Sequence, residues 1–225
     1  MDENREREIT GRELSASIRQ SDQEILHYEI IYPVIKAENA VEKKINRVHE
    51  AGAKNFERLI KSRYLSVARR QFRAIHGYGA FYPVEISASF QVMKNSGGLF
   101  SLFNDTYFQL RHNGYKMSRT SKTYDMITGS ALLLPQLFKH RSLFRQSLIR
   151  ELRAKIEEED DKTPGCYFSD WGDIFQHKIS DSGYYLTEEG IVIYFQPETI
   201  AGLNAGMPSF MIPYGVFSGG MRFGL

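Results

Sequence analysis

Asp170-Trp171-Gly172-Asp173 and the nearby His177 form the densest group of residues in the sequence that could do acid–base or metal chemistry. Two carboxylates and an imidazole are groups that general acid–base catalysis and zinc binding both use. Their spacing matches no defined catalytic or metal motif. A loop capped by aspartate side chains also accounts for the pattern, and we favour that interpretation. The alternative is a hydrolase site made of Asp170, Asp173 and His177.

A predicted hairpin turn, Arg111-His112-Asn113-Gly114, is the second candidate for function. Asn-Gly is a common choice in such turns, and turns on a rigid scaffold often carry binding residues. Tyrosines stand before and after this turn, and the only tryptophan of the chain lies in the segment described above. The candidate binding residues are therefore Tyr107, Arg111, His112, Asn113, Tyr115 and Trp171.

Other chemical signatures are missing from the sequence. The six histidines fall on separate predicted elements without ligand spacing, and there is no phosphate-binding loop or nucleophile elbow. The single cysteine, Cys166, excludes an intramolecular disulfide and a thiolate zinc cluster. We therefore expect a non-enzymatic protein with no cofactor and no metal.

Charge and hydropathy limit the partners. Lys and Arg number 29 against 27 Asp and Glu, a net charge of +2, which argues against nucleic acid as a partner. The charge-free run at residues 199–221 contains too many Gly, Pro and polar residues for a membrane helix. The opening residues are highly charged and lack the apolar core of a secretory signal. On these grounds alone the expected location is the cytoplasm.

The N-terminal half of the sequence predicts helix and strand in turn. Residues 1–23 are polar, and we expect a tail or a short helix there. Residues 24–35 predict a strand, and Asn39 with Glu42 predicts a capping box at the start of a long helix. Basic residues lie mostly off the apolar stripe of that helix, so a solvated face is favoured over a basic docking surface. Three strands at residues 82–94, 99–110 and 115–126 then predict an antiparallel meander.

The C-terminal half predicts a second amphipathic helix followed by short strands. The apolar stripe of that helix consists of Phe144, Leu148, Leu152 and Ile156. The acidic run at 157–161 is unfavourable at a helix C-terminus, so we expect fraying there, with irregular structure over 166–182. Strands are expected at 184–187, 191–196 and 210–212, with a turn at Glu188-Glu189-Gly190. The predicted fold class is α+β: an antiparallel twisted sheet packed against two amphipathic helices.

The predicted domain organisation is a tail of residues 1–23 and one domain over 24–225. That domain divides into two intimate halves, about 24–126 and 127–225. At 225 residues the chain is long enough for either one domain or two closely packed lobes.

Four stretches of the chain together resemble a known family of domains of unknown function. They are the Ile-Tyr-Pro-Val-Ile strand at 31–35, the hairpin at 90–107, the Tyr-Asp-Met-Ile-Thr-Gly passage at 124–138, and the closing stretch at 183–214. Their order and spacing resemble the lysozyme-sensing extracytoplasmic domain of RsiV-type anti-sigma factors. The same domain accompanies the catalytic domain of PdaC-type peptidoglycan deacetylases.

This resemblance implies a binding or sensing module whose ligand is a protein such as lysozyme or a cell-wall glycan. It also implies an extracytoplasmic location. The sequence departs from the family pattern after Tyr107, where a double glycine is missing, and at Thr199, where the family has tyrosine. His112 does not align with the family histidine. The resemblance therefore supplies no contact residues, and an intracellular interaction domain on the same scaffold is a further alternative.

Overall fold

The computed structural model describes residues 6–75, 79–110, 114–140, 143–217 and 220–225. The strands are β1 Ile9–Gln20, β2 Gln23–Ile35, β3 Val84–Ser96, β4 Leu99–Leu110, β5 Gly114–Asp125, β6 Ser130–Leu132, β7 Tyr184–Leu186, β8 Gly190–Tyr194 and β9 Ser209–Pro213. The helices are α1 Ala40–Leu59, α2 Leu65–Ile75, α3 Leu143–Lys162 and α4 Trp171–Lys178, with a π-helical segment, Ile60–Tyr64, between α1 and α2.

The strands form two sheets, which confirms the α+β class. The first sheet has the order β1-β2-β3-β4-β5-β6, and the second has the order β7-β8-β9. The expectation of one antiparallel sheet was wrong in two respects. The C-terminal strands form their own sheet, and β2 pairs with β3 in parallel. Parallel neighbours need a long crossover connection, and the helical residues between β2 and β3 provide it.

Residues 9–20 form a strand, which corrects the predicted N-terminal tail. Strand β1 pairs antiparallel with β2, placing Leu14 opposite Ile30 and Ala16 opposite Tyr28. The apolar residues of β1 alternate with polar ones, so one side of the strand packs on the core while the other stays polar. The few apolar residues in a mostly polar segment concealed this period-two pattern.

The chain separates into two compact units. The helix unit consists of Arg7–Phe90 and Asn104–Ser118, and the C-terminal unit takes in Gln91–Phe103 and Arg119–Leu225. Strands β3, β4 and β5 each contribute residues to both units. The boundaries therefore differ from the expected division near residue 126.

The helix unit is built on one face of strands β2 and β3. Leu26, Tyr28 and Ile30 alternate with outward-facing residues along β2, and the parallel register sets Val84 and Ile86 beside the first two. Helix residues cover this face and complete a buried core that includes Ala53, Ile60, Ala68 and Phe72. Burial of this apolar surface holds the helices to the sheet.

The start of α1 confirms Asn39 as the N-cap, while the Glu42 carboxylate bonds to the Glu38 N–H, one residue before the Asn39 N–H that a capping box uses. Asn39 accepts a hydrogen bond from the Glu42 backbone N–H at 2.9 Å, and the Glu42 side chain accepts one from the Glu38 N–H at 2.7 Å. Glu42 is also buried against Arg7, with Nε to Oε1 at 3.2 Å. The first turn of α1 is thus tied to the beginning of the helix unit.

The C-terminal unit contains its own core around α3 and the second sheet. The predicted apolar stripe of α3 is buried in full: Phe144, Leu148, Leu152 and Ile156. The expected fraying was wrong, because α3 continues through the acidic run to Lys162. Residues 166–182 are also more regular than expected, since they contain α4. No helix in the described ranges is long and apolar enough to span a membrane.

Candidate functional site

The predicted acid–base cluster lies on and just before α4. Asp170 occupies the N-cap position of α4, and Asp173 and His177 lie one helical turn apart within it. All three residues are exposed, and none of them lines the cavities described below. Among the described residues, no group of three His, Cys, Asp or Glu is arranged to hold a metal ion. The three side chains lie on a solvated helix surface, which gives the hydrolase alternative no support.

Trp171, a candidate binding residue, is built into the core of the C-terminal unit. It is 9% exposed, its Nε1–H donates to Asp160 at 3.1 Å, and its ring lies 5.8 Å from that of Phe175. The neighbouring Tyr167 hydroxyl donates to Glu159 at 2.6 Å. These contacts with the acidic end of α3 position the tryptophan, so Trp171 has a structural role in the core of the C-terminal unit.

Tyr107 and Tyr115 come together in the helix unit. Their ring centroids are 5.9 Å apart, at an interplanar angle of 53°. The other three candidates, Arg111, His112 and Asn113, lie outside the described residues. The candidate site is therefore built around the two tyrosines on β4 and β5.

The remaining residues of the site come from the outer face of the sheet. His27 and Glu29 alternate along β2 with the residues that face the helices, so their side chains point to the other side. The parallel register pairs His27 with Glu85 and Glu29 with Ser87. This sets two carboxylates and an imidazole beside the tyrosines. The His27 Nδ1 is also hydrogen-bonded to Ser17 at 3.0 Å, which orients the imidazole.

Two adjoining cavities follow this outer face. The first, of about 210 Å³, is lined by His27, Glu29, Glu85, Ile86, Ser87, Tyr107, Gln109 and Tyr115. The second, of about 350 Å³, is lined by Tyr82, Pro83, Gln109, Leu110, Gly114 and Tyr115. Gln109 and Tyr115 belong to both cavities. We call the two together the tyrosine groove.

The tyrosine groove combines exposed aromatic rings with hydrogen-bonding groups. Tyr82 is 60% exposed and Tyr115 is 58% exposed, a large exposed fraction for aromatic side chains. The carboxylates of Glu29 and Glu85 accept hydrogen bonds, and the amide of Gln109 both donates and accepts them. Such a surface can hold an uncharged polar ligand with apolar faces, or a ligand that carries positive charge.

Of the residues that line the tyrosine groove, the sequence analysis named Tyr107 and Tyr115 as candidates and did not name His27, Glu29, Glu85 and Gln109. The signal that could have found the first three is the strict alternation in β2 and β3, which marks them as outward-facing residues. Their proximity depends on the parallel pairing of strands about sixty residues apart, which alternation does not reveal.

A separate cavity of about 300 Å³ lies within the C-terminal unit. The described residues that line it include Arg119, Lys178, Ser121 and Gln196, and none of those lining residues is a carboxylate. The Arg119 guanidinium lies 3.7 Å from the centroid of the Phe103 ring. The side-chain amide of Gln196 pairs with the Arg119 backbone, accepting from N–H at 3.1 Å and donating to C=O at 2.6 Å. These contacts fix Arg119 as a structural residue of that unit.

The structure is that of a two-sheet α+β protein with a solvent-facing groove in the helix unit. Residues 136–215 match the family described as "Protein of unknown function (DUF3298)". This confirms the expectation of a domain of unknown function for that part of the chain, while the relationship to RsiV-type and PdaC-type domains stays a prediction. No curated protein matches the sequence.

Two crystal structures of proteins from the same family extend the likeness to the whole fold. A member from Bacteroides fragilis NCTC 9343 is 15% identical, with a TM-score of 0.69 over 99% of this chain and 96% of that chain. A protein from Pseudomonas aeruginosa PAO1 is 15% identical, with a TM-score of 0.59 over 98% of this chain and 96% of that chain. At this level of identity the similarity concerns the fold alone.

Proposed function

We propose that the protein is a non-enzymatic binding module that holds a cell-wall glycan in the tyrosine groove. The main support for this proposal is that the two cavities adjoin, since Gln109 and Tyr115 line both of them. Each cavity also has a tyrosine of its own, Tyr107 in the first and Tyr82 in the second. A linear ligand of several similar units fits such a groove better than a compact one does.

The chemistry of the groove suits sugar rings. The C–H faces of a pyranose ring pack against tyrosine, while its hydroxyls need donors and acceptors at the edges. Gln109, Glu85 and Ser87 supply those groups along one face of the sheet. The sequence resemblance to domains that act beside peptidoglycan-directed enzymes supports a wall glycan as the sugar polymer.

A basic protein such as lysozyme is the second candidate ligand. Glu29 and Glu85 place two carboxylates in the first cavity, and opposite charges across an interface speed association. This candidate predicts binding that weakens steeply with salt, whereas glycan binding changes little.

Titration calorimetry with soluble peptidoglycan glycan fragments and, separately, with lysozyme tests the proposal. We expect binding of the glycan fragments, and a loss of about tenfold or more in affinity for Tyr115→Ala, because truncation of an aromatic residue that anchors a ligand costs about 2 kcal/mol or more. Tyr107→Ala should weaken binding in the same direction.

Phe168→Ala is the matched control, since Phe168 is an exposed aromatic residue of the C-terminal unit. It should leave glycan affinity unchanged. If the protein binds lysozyme but not the glycan, and if salt and the variants Glu29→Gln and Glu85→Gln abolish that binding, the ligand is a basic protein and not a glycan. Binding of neither probe would overturn the proposed function.

A further inference from the structure

The outer surface of the helical segment in the helix unit is strongly basic. Between Ala40 and Ile75 the chain has ten Lys and Arg residues and three Glu, against a net charge of only +2 for the whole protein. All ten basic residues are exposed: Lys43, Lys44, Arg47, Lys54, Arg58, Lys61, Arg63, Arg69, Arg70 and Arg73. The charge is therefore concentrated on one secondary-structure segment.

The three glutamates of this segment are already engaged in contacts. Glu42 is buried against Arg7, and Glu50 pairs with Lys54 at 2.6 Å. Glu57 accepts from Lys61 at 2.8 Å and from the Tyr28 hydroxyl at 2.6 Å. Within this segment, three negative charges stand against ten positive ones, so the segment carries a net positive charge.

Helical geometry gathers the basic residues into one row. At about 100° per residue, Lys43, Arg47, Lys54, Arg58 and Lys61 fall within about 60° of one another. The buried residues of α1 lie roughly 150° away, on the side that faces the sheet. We call this outward-facing line of side chains, with Arg69 and Arg73, the basic row.

The π-helical segment keeps the basic row straight. The Leu65 N–H bonds to the Ile60 carbonyl, a five-residue step that inserts one extra residue into the helix. Without that residue, Arg69 and Arg73 would be rotated by about 100° from the row. The same insertion keeps Ala68 and Phe72 in line with Ile60 on the buried side.

We propose that the basic row docks the protein on the surface of a lipid bilayer rich in anionic headgroups. The helical segment is about 50 Å long, which matches an extended charged surface better than a small ligand. Val48 and Leu59, exposed by 39% and 42%, lie about 80–100° around the helix from Arg58, so they flank the basic row and do not belong to it.

The aromatic residues of the segment argue against single-stranded nucleic acid as the occupant. Phe56 and Tyr64 pack against Phe108, with ring centroids 6.2 and 5.2 Å apart. Phe72 packs against Phe81 at 5.3 Å. Since base stacking needs exposed rings, the basic row lacks the platform that such a ligand uses.

Vesicle co-sedimentation with the full chain tests the proposal. We expect binding to phosphatidylcholine vesicles that contain about 30 mol% phosphatidylglycerol at about 0.1 M salt, and release at about 1 M salt, where charges are screened. The triple variant Lys43→Gln, Arg47→Gln, Arg69→Gln should bind about 100-fold more weakly, since each basic residue near an anionic surface contributes about fivefold.

A second triple variant, Lys116→Gln, Lys122→Gln, Arg145→Gln, is the matched control, because it removes three exposed basic residues from outside the row. The affinity of this control variant for the anionic vesicles should fall by no more than about threefold. Equal loss in both variants, equal binding to pure phosphatidylcholine, or no binding to anionic vesicles would overturn the proposal. So would tighter binding of a DNA oligonucleotide than of the anionic vesicles. Circular dichroism of both variants establishes that the helices are retained.

Discussion

Glu42 combines three roles that are usually held by separate residues. It lies in the first turn of α1, its backbone N–H donates to the Asn39 cap, and its carboxylate bonds to both the Glu38 N–H and the Arg7 side chain. The two charged side chains are only 5% and 3% exposed. A buried pair of this kind is sensitive to the loss of one partner, because the remaining charge stays buried.

Substitution Glu42→Ala is therefore expected to reduce the free energy of unfolding by about 3–5 kcal/mol, measured by denaturant titration. Asn39→Ala, which removes only the cap, should cost about 1 kcal/mol. Glu50→Ala is the control, since it breaks an exposed pair on the same helix, and its effect should be much smaller. Equal effects for Glu42→Ala and Glu50→Ala would contradict the structural role of Glu42.

Gly190 lies at the turn that the sequence predicts, and it is also needed for the close packing of a neighbouring strand, which the sequence does not predict. Its position predicts a turn after Glu188-Glu189, and it does begin β8 there. The structure adds a second requirement, since a Cβ at this position would overlap the Ile212 carbonyl and lie 2.9 Å from the Met211 sulfur. Strand β9 approaches too closely for any side chain, and that approach depends on a partner about twenty residues away.

Gly190→Ala should lower the free energy of unfolding by ~3 kcal/mol, because β8 and β9 must separate to admit the methyl group. Gly52→Ala provides a control of opposite sign, as a Cβ there meets nothing within 4 Å in the middle of α1. It should raise stability by about 0.5–1 kcal/mol through better helix propensity. Thermal unfolding of the two variants distinguishes these effects, and a stable Gly190→Ala protein would refute the close approach.

At the scale of elements, regular amphipathic patterns were predictable and irregular ones were not. The four-residue spacing in α3 identified its buried face. The break predicted between the strands at 82–94 and 99–110 contains the Gly97-Gly98 turn that separates β3 from β4. The apolar spacing in the sequence places Val48 and Leu59 on the stripe of α1, yet 39% and 42% of these residues are exposed. Both residues lie in the regular part of α1, roughly 100° around the helix from its buried residues, so the apolar stripe in the sequence is wider than the buried face. The sequence pattern also does not reveal the π-helical segment Ile60–Tyr64 that follows.

The prediction that the acidic end of α3 would fray was wrong because it considered only the helix itself. Its carboxylates oppose the helix dipole, which by itself favours fraying. Hydrogen bonds from the Tyr167 hydroxyl and the Trp171 indole to Glu159 and Asp160 offset that cost. These donors come from the following segment, and local helix rules do not include them. The charged residues of the candidate site were not predicted for the same reason, because the pairing of β2 with β3 brings together residues that are distant in the sequence.

At the scale of the whole molecule, buried tyrosines make stability depend on alkaline pH. Burial raises the pKa of the Tyr124 and Tyr184 hydroxyls well above the ordinary value of about 10. Burial, with the nearby Glu188 charge as a smaller cause, does the same to the pKa of Tyr214. The unfolded chain therefore releases these protons at a lower pH than the folded chain does.

It follows that stability is unaffected by these groups below about pH 10 and falls as the pH rises above it. Denaturant titrations between about pH 8 and 11 should show this decline, with Tyr184→Phe giving a shallower slope than the parent protein. Near-ultraviolet absorbance follows phenolate formation directly. Ionisation of all the tyrosines near pH 10 in the folded protein would disprove the prediction.

Side chains along β2 alternate between the two faces of the sheet, so the helix unit has two separate surfaces. Helices cover one face of the sheet, and the tyrosine groove occupies the other. Two ligands could then be held at once without competing, and the occupancy of one face need not alter the affinity of the other. A bilayer on the helical side and a glycan on the opposite side would act as a bivalent tether. Its avidity would then come from raised local concentration, without any conformational change.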